Sequence, residues 1–389
     1  MRIVHFAFDE KVIPLTHGLY EEAFPGSNTW KIYQPVKQLQ RFTNNLNNIS
    51  VIYDNYFESE ELQEEIKNVD CIVIHYLFPV YEKVLRDALP QTLIVWHSWG
   101  GDYANIIAPF TNKVTLPYSK IIEVFSKTLS FFDAKTKLKS KLKRFNKIIS
   151  TSSKDKNFPY NRIDVVSIQK ELYPILLKAI PKLTAKHLYL NSYTLEDTFN
   201  VGSKSFSGNN ILLGNSAYAS NNHLEAILLL RKLNFKDIKV VIPLSYGSKI
   251  YAKIIKNFSV FFLGRNKVDA LMDFLSLEAY YKKIESCGFV IMNHTRQQAR
   301  GNINTVLYKG AKVFLRKENP IYIQCKKLGI HIFSIQDLTG NTYNLIPLTS
   351  LQIAENKQII SEQWRRSTAI KLIKKLQKFT KEKQEEIYK

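Results

Sequence analysis

Apolar and polar positions along this chain fall into two rhythms. In the first 200 residues, short apolar runs at Ile3–Phe8, Ser50–Tyr53, Cys71–Tyr76, Leu93–Trp96, Lys147–Ser150, Ile163–Ser167 and His187–Asn191 read as strands. Runs such as Cys71-Ile72-Val73-Ile74 do not alternate with polar residues, as expected of parallel strands covered on both faces. Between them, helical spacing covers Tyr33–Asn48, Glu58–Lys67 and Val80–Leu89. Phe199–Asn210, rich in Gly, Ser and Asn, reads as a linker. The rhythm then restarts: strands at Ile211–Leu213, Lys239–Ile242, Val260–Leu263, Gly288–Met292 and Val313–Leu315, with helices at His223–Leu233, Lys249–Asn257, Leu277–Ser286 and Ile303–Lys309. The pattern predicts an α/β protein with one Rossmann-like doubly wound domain over 1–200 and a second over 208–350. A polar helix over 351–389 would cross back to the first domain.

Composition narrows this picture. The 389 residues suffice for two domains, and 45% hydrophobic with 23% charged residues is a globular balance. Cys71, Cys287 and Cys325 show no metal or disulfide spacing, which suits a reducing compartment. Nothing resembles a signal peptide, and no run of about 18 apolar residues exists to span a membrane. The net charge of +21 calls for a polyanionic partner or a lysine-rich proteome. Lys135, Lys137, Lys139, Lys141, Lys143 and Arg144 follow Leu129-Ser130-Phe131-Phe132, a combination suited to an anionic membrane surface. No zinc finger, RNA-binding aromatic signature or helix-turn-helix pattern accompanies it, so nucleic acid ranks second.

The candidate chemistry lies where strands end. Trp96-His97-Ser98-Trp99-Gly100-Gly101-Asp102 joins flat aromatic surfaces, a flexible glycine pair and two proton acceptors, His97 and Asp102. Core tryptophans beside a capping aspartate would read the same way. Gly214-Asn215-Ser216 and Ser220-Asn221-Asn222-His223 link a strand to a helix N-terminus, a place suited to a diphosphate. It is neither GxGxxG nor a P-loop, so nicotinamide dinucleotides and ATP hydrolysis are unsupported. Tyr246 follows another strand. Arg296, Gln297, Arg300, Gly301 and Asn302 line a βαβ loop, where arginine forks match phosphate oxygens. Glu318 and Asn319 follow the next strand, where Glu318 could hold a sugar or ribose hydroxyl. No DxD or paired histidines occur, so neither a metal nor another cofactor is inferred, and side chains and helix dipoles would carry the diphosphate charge.

Taken together and in order, these motifs resemble glycosyltransferase family 56, the TDP-N-acetylfucosamine:lipid II N-acetylfucosaminyltransferase (4-acetamidofucosyl transferase) family. The resemblance runs from about residue 90 to 325, through Trp96–Asp102, Gly214–His223, Val240–Tyr246, Arg296–Gly301 and Lys317–Pro320. It implies the GT-B arrangement, two Rossmann-like domains facing each other across a cleft. It also implies a nucleotide-sugar donor, dTDP-linked and amino-deoxy, held by Gly214, Asn215, Ser216, Asn221, Tyr246, Arg296, Gln297, Gly301, Asn302, Glu318 and Asn319. The acceptor would be polyprenyl-diphosphate-linked, with Trp99 and Gly100 near it and Asp102 or His97 at the reacting hydroxyl. The implied setting is enterobacterial common antigen or O-antigen synthesis at the cytoplasmic face of the bacterial inner membrane. A GT-B epimerase-like enzyme and a basic nucleic-acid-binding protein are the other two readings.

Overall fold

The computed structural model describes residues 1–37, 39–111, 114–133, 157–198, 205–206, 208–233, 237–338 and 345–387. The expected strand 147–150, the basic block 135–145 and most of the linker 199–210 fall outside them. The described residues form two compact units. Unit 1 takes in 1–111, 157–197 and 364–387; unit 2 takes in 114–133 and 205–363.

In chain order the elements of the first half are β1 (Ile3–Phe8), α1 (Ile13–Ala23), β2 (Asn28–Tyr33), β3 (Ile49–Ile52), α2 (Glu60–Lys67), β4 (Cys71–His75), α3 (Glu82–Asp87), β5 (Leu93–His97), α4 (Gly101–Ile107), α5 (Pro117–Asp133), β6 (Val165–Ser167), α6 (Tyr173–Ala179), β7 (Lys186–His187) and α7 (Leu195–Thr198). The second half adds β8 (Ile211–Leu213), α8 (His223–Lys232), β9 (Val240–Pro243), α9 (Lys249–Leu263), β10 (Val268–Leu271), α10 (Leu277–Ile284), β11 (Phe289–Met292), α11 (Arg300–Tyr308), β12 (Lys312–Leu315), α12 (Pro320–Lys327), β13 (Phe333–Ser334), α13 (Ser350–Trp364) and α14 (Arg366–Ile387).

Unit 1 has a parallel sheet of order β3-β2-β1-β4-β5-β6-β7, and unit 2 one of order β10-β9-β8-β11-β12-β13. Both are doubly wound, with the order reversing beside β1 and beside β8, which directs ligands to the carboxyl ends of these strands. The continuous apolar runs are explained by cores on both sheet faces of unit 1. Phe6, Ile72, Ile74, Ile94 and Trp96 pack on one side. Ile3, Ala7, Val73 and Val95 pack on the other with Ile373 and Leu376 of α14.

Three expectations change. The helix placed over 33–48 is instead the end of strand β2 followed by an irregular segment. Asp9 holds that segment by accepting from the N–H groups of Arg41, Phe42 and Thr43, and Pro35 disfavours helix at the residue before it. The run Val260–Leu263 is the last turn of α9; the chain turns at Gly264 (φ +95°) and only then enters β10. Residues 114–133, numbered within the first domain, pack in unit 2.

Candidate active site

In unit 2 the strand-end loops are knitted by asparagines. Asn221 is fully buried. Its Oδ1 accepts from the Asn215 N–H (3.0 Å) and His294 Nε2 (2.9 Å), and its Nδ2 donates to Ser216 and Tyr218. Because Oδ1 is an acceptor, His294 carries its proton on Nε2. Asn222, at φ +50°, donates to the Asn293 carbonyl and accepts Nδ2 of Asn293 in return, both at 2.9 Å. Ser220 donates to Gln298 (2.7 Å), which donates to Asn215 (3.2 Å). The loop after β8 and the loop after β11 are therefore one hydrogen-bonded body. Asn319 extends it, donating to the carbonyls of His294 and Arg296 while its Oδ1 caps α12 at the Ile321 N–H.

Gly214 is needed there for two reasons. Its φ is +69°, and a Cβ would lie 2.7 Å from His223 Nε2 and 2.9 Å from Asn221 Oδ1. Gly214→Ala is expected to cost about 2 kcal/mol from backbone strain and displacement of the buried ring. A melting temperature within a degree of wild type would mean that the loop shifts freely.

After β12, Arg316 Nε donates to Glu318 Oε1 (2.5 Å), Gln336 donates to Glu318 Oε2 (2.8 Å), and Arg316 also reaches Asn293 Oδ1 (3.3 Å). Burial alone would raise the Glu318 pKa, but the bonds from Arg316 and Gln336 outweigh it and the net shift is downward. A cavity of about 650 Å³ opens against this group. Its lining includes Asn293, Arg316 and Gln336 with Tyr118 of α5 and Arg231 and Lys232 of α8. Arg296, Gln297, Gly301 and Asn302 are half-buried around the start of α11, which no side chain caps. Tyr246 is exposed and stands edge-on to Tyr218 at 5.7 Å. Arg300, Arg316 and Gln336 are the residues that sequence reasoning ranked low or missed. Arg300 is buried on α11, while Gln336 carries no motif signal at all.

In unit 1 the Trp96–Asp102 motif is a turn organised by Asp102. Its Oδ2 accepts from Trp96 Nε1 (2.7 Å) and the Leu77 N–H (3.2 Å), and its Oδ1 from the N–H groups of Trp99 (3.1 Å) and Gly100 (3.0 Å). Burial pushes its carboxyl above the ordinary range against the pull of these donors. The lone-pair positions of a carboxylate are thereby taken. Asp102 thus orders the loop that carries Trp99 and Gly100 (φ +98°). His97 is buried, with Nε2 3.0 Å from Ser192 Oγ, and burial holds its pKa at about 4.

Sequence reasoning missed two further histidines beside it. His5 Nε2 meets Asn28 Oδ1 at 3.1 Å, and His5 Nδ1 meets His75 Nε2 at 3.0 Å. Asn28 Nδ2 donates to the carbonyls of Tyr20 and Phe24, so its oxygen faces His5. This fixes both rings as Nε2–H tautomers and leaves His75 Nδ1 a bare acceptor. The His75 ring centre lies 5.1 Å from that of His97 and 6.2 Å from that of Trp99. Among the described residues no three His, Cys, Asp or Glu side chains converge as a metal site would require.

Two doubly wound parallel sheets, each presenting polar loops at its strand ends, are the GT-B fold. Solved structures agree on the fold. The chain matches Anabaena Alr3699/HepE in complex with UDP at TM-score 0.62 and 10% identity, covering 97% of this chain and 100% of that one. A glycosyltransferase from Rickettsia africae matches at TM-score 0.61 and 11% identity, with 98% of each chain covered. The lipopolysaccharide outer core galactosyltransferase WaaB matches at 0.58 and 9%, over 96% and 98%. Residues 172–360 match the model of the family described as 4-alpha-L-fucosyltransferase glycosyl transferase group 56. Gly214–Asn221, Tyr246, Arg296–Asn302 and Glu318-Asn319 fall inside these residues; Trp96–Asp102 precedes them.

Proposed function

We propose that this glycosyltransferase moves an amino-deoxy sugar from a dTDP-sugar such as dTDP-Fuc4NAc to an undecaprenyl-diphosphate-linked saccharide. The setting would be surface-polysaccharide synthesis, of the enterobacterial common antigen or O-antigen type, at the cytoplasmic face of the inner membrane. The donor half of this reading is carried by the cavity at Arg316. It has the volume of a small-ligand site and sets the cationic side chains of Arg231, Lys232 and Arg316 beside the Tyr118 ring, with Glu318 behind Arg316 as its ion-pair partner. Arg296 and the start of α11 supply positive charge toward the departing diphosphate. Gly214, Asn215, Ser216 and Tyr246 shape the loops around it, and Asn221 and Asn319 hold them. Gln297, Gly301 and Asn302 complete the phosphate side.

The acceptor half belongs to unit 1, with Trp99 and Gly100 on the loop that Asp102 orders. His97 takes the role of proton acceptor, and Asp102 acts through the loop. The lipid-linked acceptor accords with the basic block of the sequence, and no helix among the described residues is long and apolar enough to cross a membrane. Inverting transfer would require the base on this side.

A melting screen tests the donor assignment, since a ligand of the native state raises apparent stability. The expected result is a rise of several degrees with dTDP, less with other nucleoside diphosphates, and about tenfold weaker dTDP binding in Arg316→Ala, the order of one lost charged hydrogen bond. No shift with any nucleotide, together with a salt-dependent gel shift on RNA, would favour the nucleic-acid reading. Turnover of nucleotide sugar into an epimer without acceptor would favour the epimerase.

A further inference from the structure

Helix α5 is built inside out for a water-facing helix. Its inner face carries the small residues Ser119 and Ser126 with Ile122, all buried in unit 2. Glu225 of α8 accepts the Ser119 N–H (2.9 Å) and the Ser119 hydroxyl, which pins the start of the helix. The exposed side carries Ile121, Val124 and Phe125, while Tyr118 lines the cavity at Arg316. Ile121 is 67% exposed and Phe125 55%. Positions 121 and 125 lie one helical turn apart, so they form one stripe. Helix α9 packs beside α5 and adds Phe261, 79% exposed, one helical face along from Lys253. Single exposed apolar residues are ordinary, but several large ones on two helices that pack together mark an interaction surface.

The occupant follows from shape and charge. The exposed side chains are aliphatic and phenyl in character. Lys120 and Lys127 on another side of α5 pair with Glu123, and Lys253 and Lys256 are exposed on α9. The sequence directly after α5 runs Lys135, Lys137, Lys139, Lys141, Lys143 and Arg144 with no acidic residue among them. Apolar side chains bordered by lysine are the composition of a helix lying in the headgroup region of an anionic bilayer.

We propose that the outer face of α5, with Phe261 of α9, is the surface by which this enzyme lies on an anionic membrane. The membrane contact is then carried by the unit that holds the donor loops. This rests on the reading that the acceptor is lipid-linked, and it names the surface that brings the enzyme to that lipid.

The test is flotation with vesicles of phosphatidylglycerol and phosphatidylethanolamine, against phosphatidylcholine vesicles, for the full chain and for Ile121→Glu/Phe125→Glu and Phe261→Glu. Leu351→Glu, at another exposed apolar position, serves as control. The wild type and the control are expected to float with the anionic vesicles and the α5 variant to bind roughly tenfold or more weakly. Its melting temperature and its response to dTDP should be unchanged, which separates lost binding from lost folding. Equal binding by wild type and the α5 variant overturns the proposal. So does a wild-type dimer that the variant converts to monomer with no change in flotation, since the patch then meets a second copy. Transfer assayed with a short-chain, water-soluble polyprenyl-diphosphate acceptor keeps the two ideas apart. No transfer alongside surface-dependent flotation removes the acceptor reading and leaves the membrane face standing.

Discussion

Acidification from about pH 7 to about pH 5 is expected to unfold this enzyme cooperatively, well before its carboxylates titrate. His5, His223 and His294 are buried and held at a pKa of about 3, and His97 at about 4, burial being the leading cause in each case. His75 is lowered in the same direction, by burial first and then by its neighbours His97 and His5. A histidine whose folded pKa lies below its unfolded one contributes its full stability above about pH 6.5 and loses it as the pH falls toward the folded value. At about pH 5 each of the four has lost about 2 kcal/mol, or about 4 kcal/mol in each unit, a large part of the stability of a typical domain. The groups sit in both units, so both are sensitised. Far-ultraviolet circular dichroism against pH is the measurement. A midpoint below about pH 4, where carboxylate protonation takes over, would show that these histidines take up protons in the folded state.

None of this histidine chemistry is visible from sequence spacing. His5 and His75 sit inside runs that read as plain core strands, and their pairing arises because β1 and β4 are neighbours although 70 positions separate the residues. The same runs made the fold legible: unbroken apolar stretches mark doubly covered parallel strands, and the polar loops after them mark the ligand side. Elements failed where local composition misleads. Asn28-Thr29-Trp30-Lys31-Ile32-Tyr33 looks too polar for a sheet interior, yet Lys31 is buried there and paired with Glu61 and Glu65 of α2. Val260-Phe261-Phe262-Leu263 has strand composition, but a short aromatic run fits a helix end equally well. Helix α5 was counted with its neighbours in sequence; the bond from Ser119 to Glu225 that fastens it to unit 2 joins residues 106 positions apart.

For the active site, residue types and places were readable while commitments were not. Asp102 stands in the loop where a base would be sought, but the Leu77 N–H that helps to occupy it comes from 25 positions away. The usual test of a carboxylate base, replacement by the isosteric amide, has an unusual expectation here. Asp102→Asn must turn its NH2 group either toward Trp96 Nε1 and the Leu77 N–H or toward the N–H groups of Trp99 and Gly100. Each choice sets a donor against two donors in a buried site. With two buried donors left unsatisfied at about 1–3 kcal/mol each, the cost is about 2–6 kcal/mol. The expected outcome is a melting temperature lower by about ten degrees or more and transfer close to abolished, because Trp99 and Gly100 lose their place. Loss of turnover alone would then say nothing about proton transfer. The discriminating measurement is the pH dependence of the residual activity below the variant's melting temperature. A loop-ordering Asp102 leaves the shape of the profile as in wild type with kcat lowered throughout. Removal of the acidic limb from that profile, with melting unchanged, would return Asp102 to the role of base and take it from His97.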